Sequence, residues 1–426
     1  MPRKIFIRAL NTPGYHMRVY IETYGCTANE ADSAGIRDAI IANDGTITGD
    51  PGEADFIVIN TCAVTGHTAS SMLKAIRRYP GKHVIVAGCM AAAEPGLLSG
   101  FTCMDAPGPL PVIQALGLKA TAHLPFSMRG RTAIIKIAEG CSGQCSYCIV
   151  RLARGGLRSS PIERVTGTVR RAIEAGAAEI YLTAQDTGAY GKDLGVRLPG
   201  LIRSIAGIPG RFKVRIGMMN PFSIQDMIPE MIDVLNLPAV YRFAHIPVQS
   251  GSDRILGLMR RPYTEQEYTG IVERLREGVP GITFSTDYIV GFPTETDLDF
   301  RLTLEDLQKN RQLKVNITRF SPRPGTEAAL MPDTLSRVKK ERSRVLTALH
   351  HQIISTYMKE SIGSHKTVLV TEKGRPGTVI ARDASYNMVV LPEDLPIGMT
   401  VEVEVSDART TYMIGGCAKA CHGVTK

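Results

Sequence analysis

The chain has 426 residues, which is longer than one ordinary domain, so two or three domains are expected. Its hydrophobic fraction of 44% and its charged fraction of 21% are typical of a soluble globular protein. It has neither an apolar stretch long enough to span a bilayer nor a signal-peptide core, which predicts a cytoplasmic protein. The formal net charge of +9 favours a polyanionic partner such as nucleic acid.

The N-terminal part of the chain alternates between strand-like and helix-like segments. A helix that Asn29 could cap follows the first strand and ends near Ala42. The alternation predicts a small doubly wound α/β domain, which we assign to residues 17–124. Its three apolar strands are predicted at residues 18–24, 55–60 and 83–88.

The central part of the chain, residues 127–356, repeats the strand-helix pattern six times. Six βα units in this length favour an open, partial (β/α) barrel over a closed barrel of eight units. Such barrels carry their chemistry at the C-terminal ends of the strands. The predicted strands are residues 133–138, 179–183, 212–217, 241–248, 283–290 and 315–320.

The last segment, residues 357–417, consists of short runs rich in β-branched residues with Gly and Pro turns between them. This pattern predicts a compact all-β module, a small barrel of a kind that often binds nucleic acid. We expect it to be a separate domain that is joined to the rest through a helix over residues 342–358.

Three cysteines with the spacing C-x3-C-x2-C directly follow the first barrel strand. They are Cys141, Cys145 and Cys148. In a cytosolic chain, cysteines clustered in this way indicate metal binding rather than disulfides. Three thiolates in one loop can hold three corners of a cubane iron–sulfur cluster and leave the fourth iron open to a ligand. A zinc site completed by a distant fourth residue is the alternative.

A second set of cysteines is dispersed along the N-terminal domain. Cys26, Cys62 and Cys89 each fall just past the C-terminal end of one predicted strand. Because these ends converge on one crevice in an open α/β sheet, we expect the three thiols to meet and to bind a second cluster. The alternative is three buried, inert thiols. Cys103 fits a core thiol, while Cys417 and Cys421 are expected to be exposed.

Further residues at the predicted strand ends are candidates for contacts with a cofactor. A glycine at such an end lets the backbone approach a ligand closely, although turn chemistry alone would also explain it. The candidate cofactor-binding residues are Tyr147, Gln185, Asp186, Asn220, Gln249 and Gly291.

Four arginines follow strands near the same face and could contact a phosphate or a carboxylate of a substrate. They are Arg154, Arg158, Arg319 and Arg323, and for each the alternative is a solvated surface arginine. The paired cations at residues 77–78, 260–261 and 339–340 are instead expected on solvated helix faces.

Several segments resemble those of the radical S-adenosylmethionine methylthiotransferases. The resemblance rests on Tyr24-Gly-Cys-Thr-Ala-Asn29, Asn60-Thr-Cys62, Gly88-Cys89-Met90, the central cysteine triad and His245-Ile-Pro-Val-Gln-Ser-Gly-Ser252. It extends from residue 17 to about 416, where the last module resembles the family's TRAM domain, an RNA-binding barrel. Residues 182–191 and 215–221 most resemble the archaeal and eukaryotic-type branch.

The resemblance implies two [4Fe-4S] clusters and S-adenosylmethionine as cofactors. The substrate of that branch is N6-threonylcarbamoyladenosine at position 37, in the anticodon loop of tRNA, which receives a 2-methylthio group. The cluster on Cys141, Cys145 and Cys148 would generate a 5′-deoxyadenosyl radical, and the other would carry the sulfur. An electron donor and a sulfur source are implied as partners. Binding to a membrane is not expected.

Three alternatives to this function remain open from the sequence. The same machinery could act on isopentenyladenosine in tRNA or on an aspartate of a ribosomal protein. A non-enzymatic iron–sulfur protein that binds RNA would also explain the charge and the cysteines.

Overall fold

The computed structural model of the chain describes residues 16–63 and 66–417. None of the helices in these two ranges is long and apolar enough to cross a membrane. Cys421 lies outside the described residues.

The N-terminal module is a parallel sheet with helices on both faces, as predicted. Its strands are β1 (Arg18–Thr23), β2 (Thr46–Ile47), β3 (Phe56–Thr61), β4 (His83–Gly88) and β5 (Thr102–Cys103), in the spatial order β2-β1-β3-β4-β5. Its helices are α1 (Thr27–Ala42), α2 (Gly66–Ile76), α3 (Cys89–Ala93) and α4 (Pro109–Ala115). β3 is apolar throughout most of its length because Ile57 and Ile59 pack into the core on one face while Phe56 and Val58 pack into the core on the other.

Helix α1 begins three residues earlier than the expected cap at Asn29. Cys26 occupies the cap position, with extended backbone and no capping bond from its side chain. Asn29 lies inside the first turn, and its side-chain amide donates to the carbonyls of Tyr24 and Thr61. Asn29 therefore fastens the cysteine-bearing loop to the neighbouring strand instead of capping the helix.

The central module is an open barrel of six parallel strands. β7, β10, β11, β12, β13 and β14 lie side by side in that order, and bridges from Val214 to Val240 and from Met218 to His245 join its two halves. The short β6 extends this sheet, whereas β8 pairs with β9 beside it. The strands are β6 (Ser127–Arg129), β7 (Thr132–Lys136), β8 (Ala138–Glu139), β9 (Arg158–Ser159), β10 (Glu179–Thr183), β11 (Lys213–Ile216), β12 (Phe243–His245), β13 (Thr283–Val290) and β14 (Lys314–Arg319).

Helices cover the outside of this barrel, and their apolar faces form one core with the strands. Capping boxes fix where two of them begin, with Thr264 paired to Glu267 and Thr296 paired to Asp299. The helices are α5 (Ile149–Arg154), α6 (Ile162–Glu174), α7 (Leu198–Ala206), α8 (Pro221–Ile224), α9 (Ile228–Leu235), α10 (Asp253–Leu258), α11 (Glu265–Gly278), α12 (Asp297–Asn310) and α13 (Ser336–Glu360).

The C-terminal module is a closed barrel, as predicted. Its strands are β15 (His365–Lys373), β16 (Val379–Asp383), β17 (Met388–Leu391), β18 (Thr400–Ala408) and β19 (Met413–Cys417), in the order β15-β16-β17-β19-β18. Along β18, Val401, Val403 and Val405 are buried, whereas Glu402 and Glu404 are exposed. This alternation fills the barrel with valine and keeps acidic side chains on its surface.

The C-terminal module also contacts the end of the central barrel at which the strands begin. We call this end the barrel floor, formed by Arg215, Tyr241, Phe243 and Lys314. The ring of Tyr386, in the turn between β16 and β17, lies 4.9 Å from the ring of Tyr241 and 5.1 Å from that of Phe243. The Lys314 ammonium donates to the Tyr386 carbonyl at 2.6 Å. The expected helix over residues 342–358 is part of α13, and the module has this contact with the barrel floor in addition.

Candidate active site

The central cysteine triad lies in the loop between β8 and α5, at the carboxyl edge of the barrel. Gly140 precedes it with φ of +75°, and a Cβ there would lie 2.6 Å from the carbonyl carbon of Gly156. The Gly143 amide donates to the Cys141 sulfur at 3.3 Å, and a Cβ at Gly143 would lie 3.9 Å from the Cys145 sulfur. Burial raises the pKa of the Cys141 thiol to about 11. The loop thus folds around its own sulfurs.

The dispersed cysteines meet at the carboxyl edge of the N-terminal sheet. Cys26 follows β1, Cys62 follows β3, and Cys89 opens α3 directly after β4. A Cβ added at Gly25, which has φ of +104°, would lie 2.9 Å from Cys62 Cβ. The pKa of Cys89 is raised to about 11, mainly by burial and in part by the nearby Cys26 and Cys62 thiols, while Arg154 opposes the shift. The predicted convergence of the strand ends therefore brings these three thiols together.

A buried polar cluster joins the two cysteine sites. Arg154, whose side chain is 0% exposed, follows the central triad on α5 and donates through Nε to the Cys89 sulfur at 3.3 Å. Its other nitrogens bind Asn29, Asp32 and Glu139. Although burial opposes the shift, cationic neighbours hold the pKa of Asp32 below its ordinary value. Arg154 thus lies inside the contact between the two modules, not on an open substrate face.

Arg261 contacts the central triad, and this contact was not predicted from the sequence. It is only 6% exposed, and it donates through Nη1 to the Cys145 sulfur at 3.2 Å. The expectation of a solvated helix face is wrong for this residue, because α10 ends before it and the chain turns at Arg260, which has φ of +54°. The following Pro262 was the available signal, since proline disfavours helical backbone in the residue before it.

Four of the candidate cofactor-binding residues support loops at the strand ends. Gln185 accepts from the Gly140 amide at 2.7 Å, next to the central triad. The fully buried Asp186 carboxylate accepts from the Asn220 amide, and the Asn220 side chain accepts from Arg261 at 2.7 Å. Gly291, with φ of +68°, donates its amide to Glu295. Their hydrogen bonds hold backbone and cysteine loops in place at the edge where ligands are expected.

A cavity of about 210 Å³ opens between the central triad and the ends of β13 and β14. Tyr147 and Cys148 line one side of it, and Gln249 lines it with a strained backbone at φ of +75°. Asp287 also faces the cavity. It bonds to His245 at 3.0 Å and to Asn316 at 2.6 Å, and these contacts keep its pKa low in spite of burial. The cavity therefore combines a thiol, an anionic group and aromatic surface.

The four candidate arginines occupy different places. Arg319 is exposed and lines the cavity, and its guanidinium forms no ion pair with the described residues. Arg323 also lines the cavity but is buried and paired with Glu94 of the N-terminal module. Arg158 is exposed on β9, outside the cavity lining. Of the four, Arg319 is the cation best placed to meet an anionic ligand.

Within the described ranges, no two cysteines are joined by a disulfide bond. Cys103, expected to be a buried core thiol, is half-buried at the edge of a core, and Cys417, expected to be exposed, is half-buried in β19. No three His, Cys, Asp or Glu side chains in the described part of the chain are close enough to hold a single metal ion.

Three family descriptions match successive parts of the chain. Residues 18–104 match "Uncharacterized protein family UPF0004", residues 135–307 match "Radical SAM superfamily" and residues 359–416 match "TRAM domain". These matches follow the three modules of the structure in order.

Curated relatives match over nearly the whole chain. A "Probable threonylcarbamoyladenosine tRNA methylthiotransferase" of Archaeoglobus fulgidus is 39% identical over 94% of this chain and 99% of its own length. A "Threonylcarbamoyladenosine tRNA methylthiotransferase" of Danio rerio is 36% identical over 93% of this chain and 78% of its own.

Among solved structures, the chain is similar to the radical S-adenosylmethionine methyltransferase TsrM of Kitasatospora setae, solved with cobalamin and a [4Fe-4S] cluster. The TM-score is 0.55 at 14% identity, over 74% of this chain and 77% of that one. At this identity the similarity shows a shared fold only.

Proposed function

The chain belongs to the family of threonylcarbamoyladenosine tRNA methylthiotransferases, and from this premise we propose that it adds a methylthio group to C2 of N6-threonylcarbamoyladenosine at position 37 of tRNA. The reaction would take place in the cytoplasm, with a one-electron donor and a sulfur source as further partners. The single observation that carries the proposal is that two cysteine triads, one in each of two modules, lie on either side of the same contact between these modules.

The donor sets suit two [4Fe-4S] clusters. Each triad offers three soft thiolate ligands, which is one fewer than a structural zinc site requires and leaves one iron of a cubane open. We propose Cys141, Cys145 and Cys148 as ligands of one cluster and Cys26, Cys62 and Cys89 as ligands of the other. When bound, the clusters and S-adenosylmethionine supply the radical chemistry and sulfur transfer that side chains cannot perform on an unreactive adenine C–H bond.

The protein's own contribution is to hold these two sites next to each other. Arg154 lies six residues after Cys148 and donates to the Cys89 sulfur, so it ties the loop of one triad to a ligand of the other. Gly140 and Gly88 let the two cysteine loops pack without a clash. These contacts support an arrangement in which one adenosine faces both clusters.

The cavity beside Cys148 supports the choice of substrate. Its exposed cation, Arg319, can form a bidentate bond to the carboxylate of a threonylcarbamoyl group. An apolar isopentenyl group offers this arginine no acceptor, so the charged bond is absent from that complex. We therefore propose Arg319 as the residue that binds the substrate carboxylate.

The test offers three tRNAs to anaerobically reconstituted protein with dithionite and S-adenosylmethionine. One carries threonylcarbamoyladenosine, one isopentenyladenosine, and the control carries unmodified adenosine. Mass spectrometry of the nucleosides should find the methylthio product with the first tRNA alone. Equal modification of the isopentenyl tRNA would contradict the substrate assignment, and no product together with no cleavage of S-adenosylmethionine would favour a non-enzymatic RNA-binding protein.

A further inference from the structure

Each cysteine triad is contacted by one buried arginine. Arg154 donates to the Cys89 sulfur at 3.3 Å, and Arg261 donates to the Cys145 sulfur at 3.2 Å. Both guanidinium groups are fixed by further bonds, so neither can swing away from its sulfur. The two sites therefore have the same kind of hydrogen bond but, as the neighbouring groups show, different charges.

The charge of Arg154 is offset by ion pairs with neighbouring carboxylates. Its guanidinium pairs with Asp32 at 2.8 Å and with Glu139, and both carboxylates also bind Lys136. Two cations thus face two anions in one buried cluster. The two carboxylates therefore offset part of the positive charge that Arg154 brings to the Cys89 sulfur.

The charge of Arg261 is not offset in this way. Its partners besides Cys145 are the hydroxyl of Tyr263 at 2.8 Å, the side-chain oxygen of Asn220 at 2.7 Å and the carbonyl of Pro247 at 3.2 Å, all of which are neutral. Across residues 16–63 and 66–417, Arg261 forms no ion pair with a carboxylate.

Two carboxylates lie near this site without contacting Arg261: Asp287 bonds to His245 and Asn316. The buried Asp186, whose charge acts on Cys141, accepts from backbone amides and from the Ser223 hydroxyl.

A positive charge beside a cluster favours its reduced state, because reduction adds a negative charge. The effect is strong where water is excluded, and hydrogen bonds to the sulfurs act in the same direction. A full charge at Cys145 should therefore raise the reduction potential of that site relative to the site at Cys89.

We propose that Arg261 is a positioning residue that makes the cluster on Cys141, Cys145 and Cys148 the first of the two to be reduced. A low-potential one-electron donor loses one electron, and this electron goes to the cluster that must deliver it to S-adenosylmethionine. The cluster on Cys26, Cys62 and Cys89 stays oxidised at the same potential. The inference rests on the proposed function, since it requires two clusters.

The test measures each cluster alone, without S-adenosylmethionine. One variant keeps the central triad and carries Cys26, Cys62 and Cys89 as alanine, and the reciprocal variant keeps only the N-terminal triad. Iron content and spectroscopy of the reduced clusters come first. Redox titration followed by electron paramagnetic resonance should then give the higher midpoint potential for the central triad.

Arg261→Gln in the first variant keeps hydrogen-bond donors but removes the charge. At the potential where the parent is half reduced, its reduced-to-oxidised ratio should fall about tenfold, which is 59 mV for a one-electron couple. Arg261→Lys, which keeps the charge, should fall much less. Arg260→Gln is the matched control and should cause no shift, because Arg260 is exposed and paired with Glu327.

Two kinds of failure can be told apart. If neither single-cluster variant binds iron as a cubane, the proposed function fails together with this inference. If both bind clusters but the central one does not have the higher potential, the inference alone is overturned. The same holds if Arg261→Gln leaves the midpoint unchanged, or if Arg261→Lys shifts it as far as Gln does.

Discussion

Gly88 directly precedes a cysteine of the N-terminal triad and has no room for a side chain. Its φ is +87°, and a Cβ would lie 2.7 Å from the Thr61 amide nitrogen. Gly88→Ala should therefore displace Cys89 and reduce bound iron from about eight per chain to about four. Iron analysis after anaerobic reconstitution measures this loss. Gly167→Ala is the matched control, since that helical glycine has open space around it and should keep all the iron.

Arg319 gives a second prediction at the scale of one residue. Arg319→Gln should lower kcat/KM for threonylcarbamoyl tRNA by about 10- to 100-fold, because a charged bidentate bond worth roughly 1.5–3 kcal/mol is lost. Reductive cleavage of S-adenosylmethionine without tRNA should persist. Arg158→Gln, which changes an exposed arginine outside the cavity lining, is the control. An equal fall in both variants would contradict a specific role for Arg319.

At the scale of elements, the sequence predicts the long strands well because their apolar runs are continuous or end at clear turns. Once the strands are predicted, their ends are known, and so is the placement of the cysteines that follow them. The two-residue edge strands β2 and β5 have too few residues to show any period. The contacts of Asn29 and Arg261 depend on neighbours far along the chain. A local pattern such as Arg261-Pro262 could show that the helix ends, but not which residue Arg261 contacts.

Lys314, at the start of β14, should make the stability of the protein depend on pH. Burial, together with Arg382 and Arg215, lowers its pKa to about 7, and Asp383 and Glu179 oppose the shift. In the unfolded chain its pKa is about 10.4, so the unfolded state binds more protons between these values. The contribution of Lys314 to stability should therefore rise as the pH increases from about 7 to about 10.

The measurement compares wild type with Lys314→Met by urea unfolding at pH 6, 7.5 and 9. The difference in free energy of unfolding should move in favour of wild type as the pH rises. The buried Asp306, whose pKa burial raises to about 7, has the opposite pH dependence, but it is present in both proteins and cancels. A difference that does not change with pH would show that Lys314 is not desolvated.

At the scale of the whole molecule, the central barrel is held by both flanking modules. The Arg154 cluster and the buried pair of Arg323 with Glu94 attach the N-terminal module to the barrel's carboxyl edge. Tyr386 attaches the C-terminal module to the barrel floor. The domain limits of 17–124, 127–356 and 357–417 stay a prediction. The sequence could not show these attachments, because single polar and aromatic residues carry them and their partners lie far along the chain.

The contact of Tyr386 with the barrel floor gives the last prediction. Its ring packs on Tyr241 and Phe243 and lies over Arg215, with 5.4 Å between ring centroid and guanidinium carbon. Tyr386→Ala should therefore lower the free energy of unfolding by about 2 kcal/mol, less than for a fully buried aromatic residue because this one is partly exposed.

Urea unfolding measures this loss, and Lys373→Ala, which removes an exposed ion pair of the same module, should change stability by less than about 1 kcal/mol. Binding of tRNA to the Tyr386 variant should keep the salt dependence of wild type, since the phosphate contacts expected of the C-terminal barrel are still present. Deleting the module from residue 357 onward is a poorer test, because it exposes the barrel floor and confounds RNA binding with stability. If Tyr386→Ala is as stable as Lys373→Ala, the Tyr386 ring does not contribute to the attachment of the module.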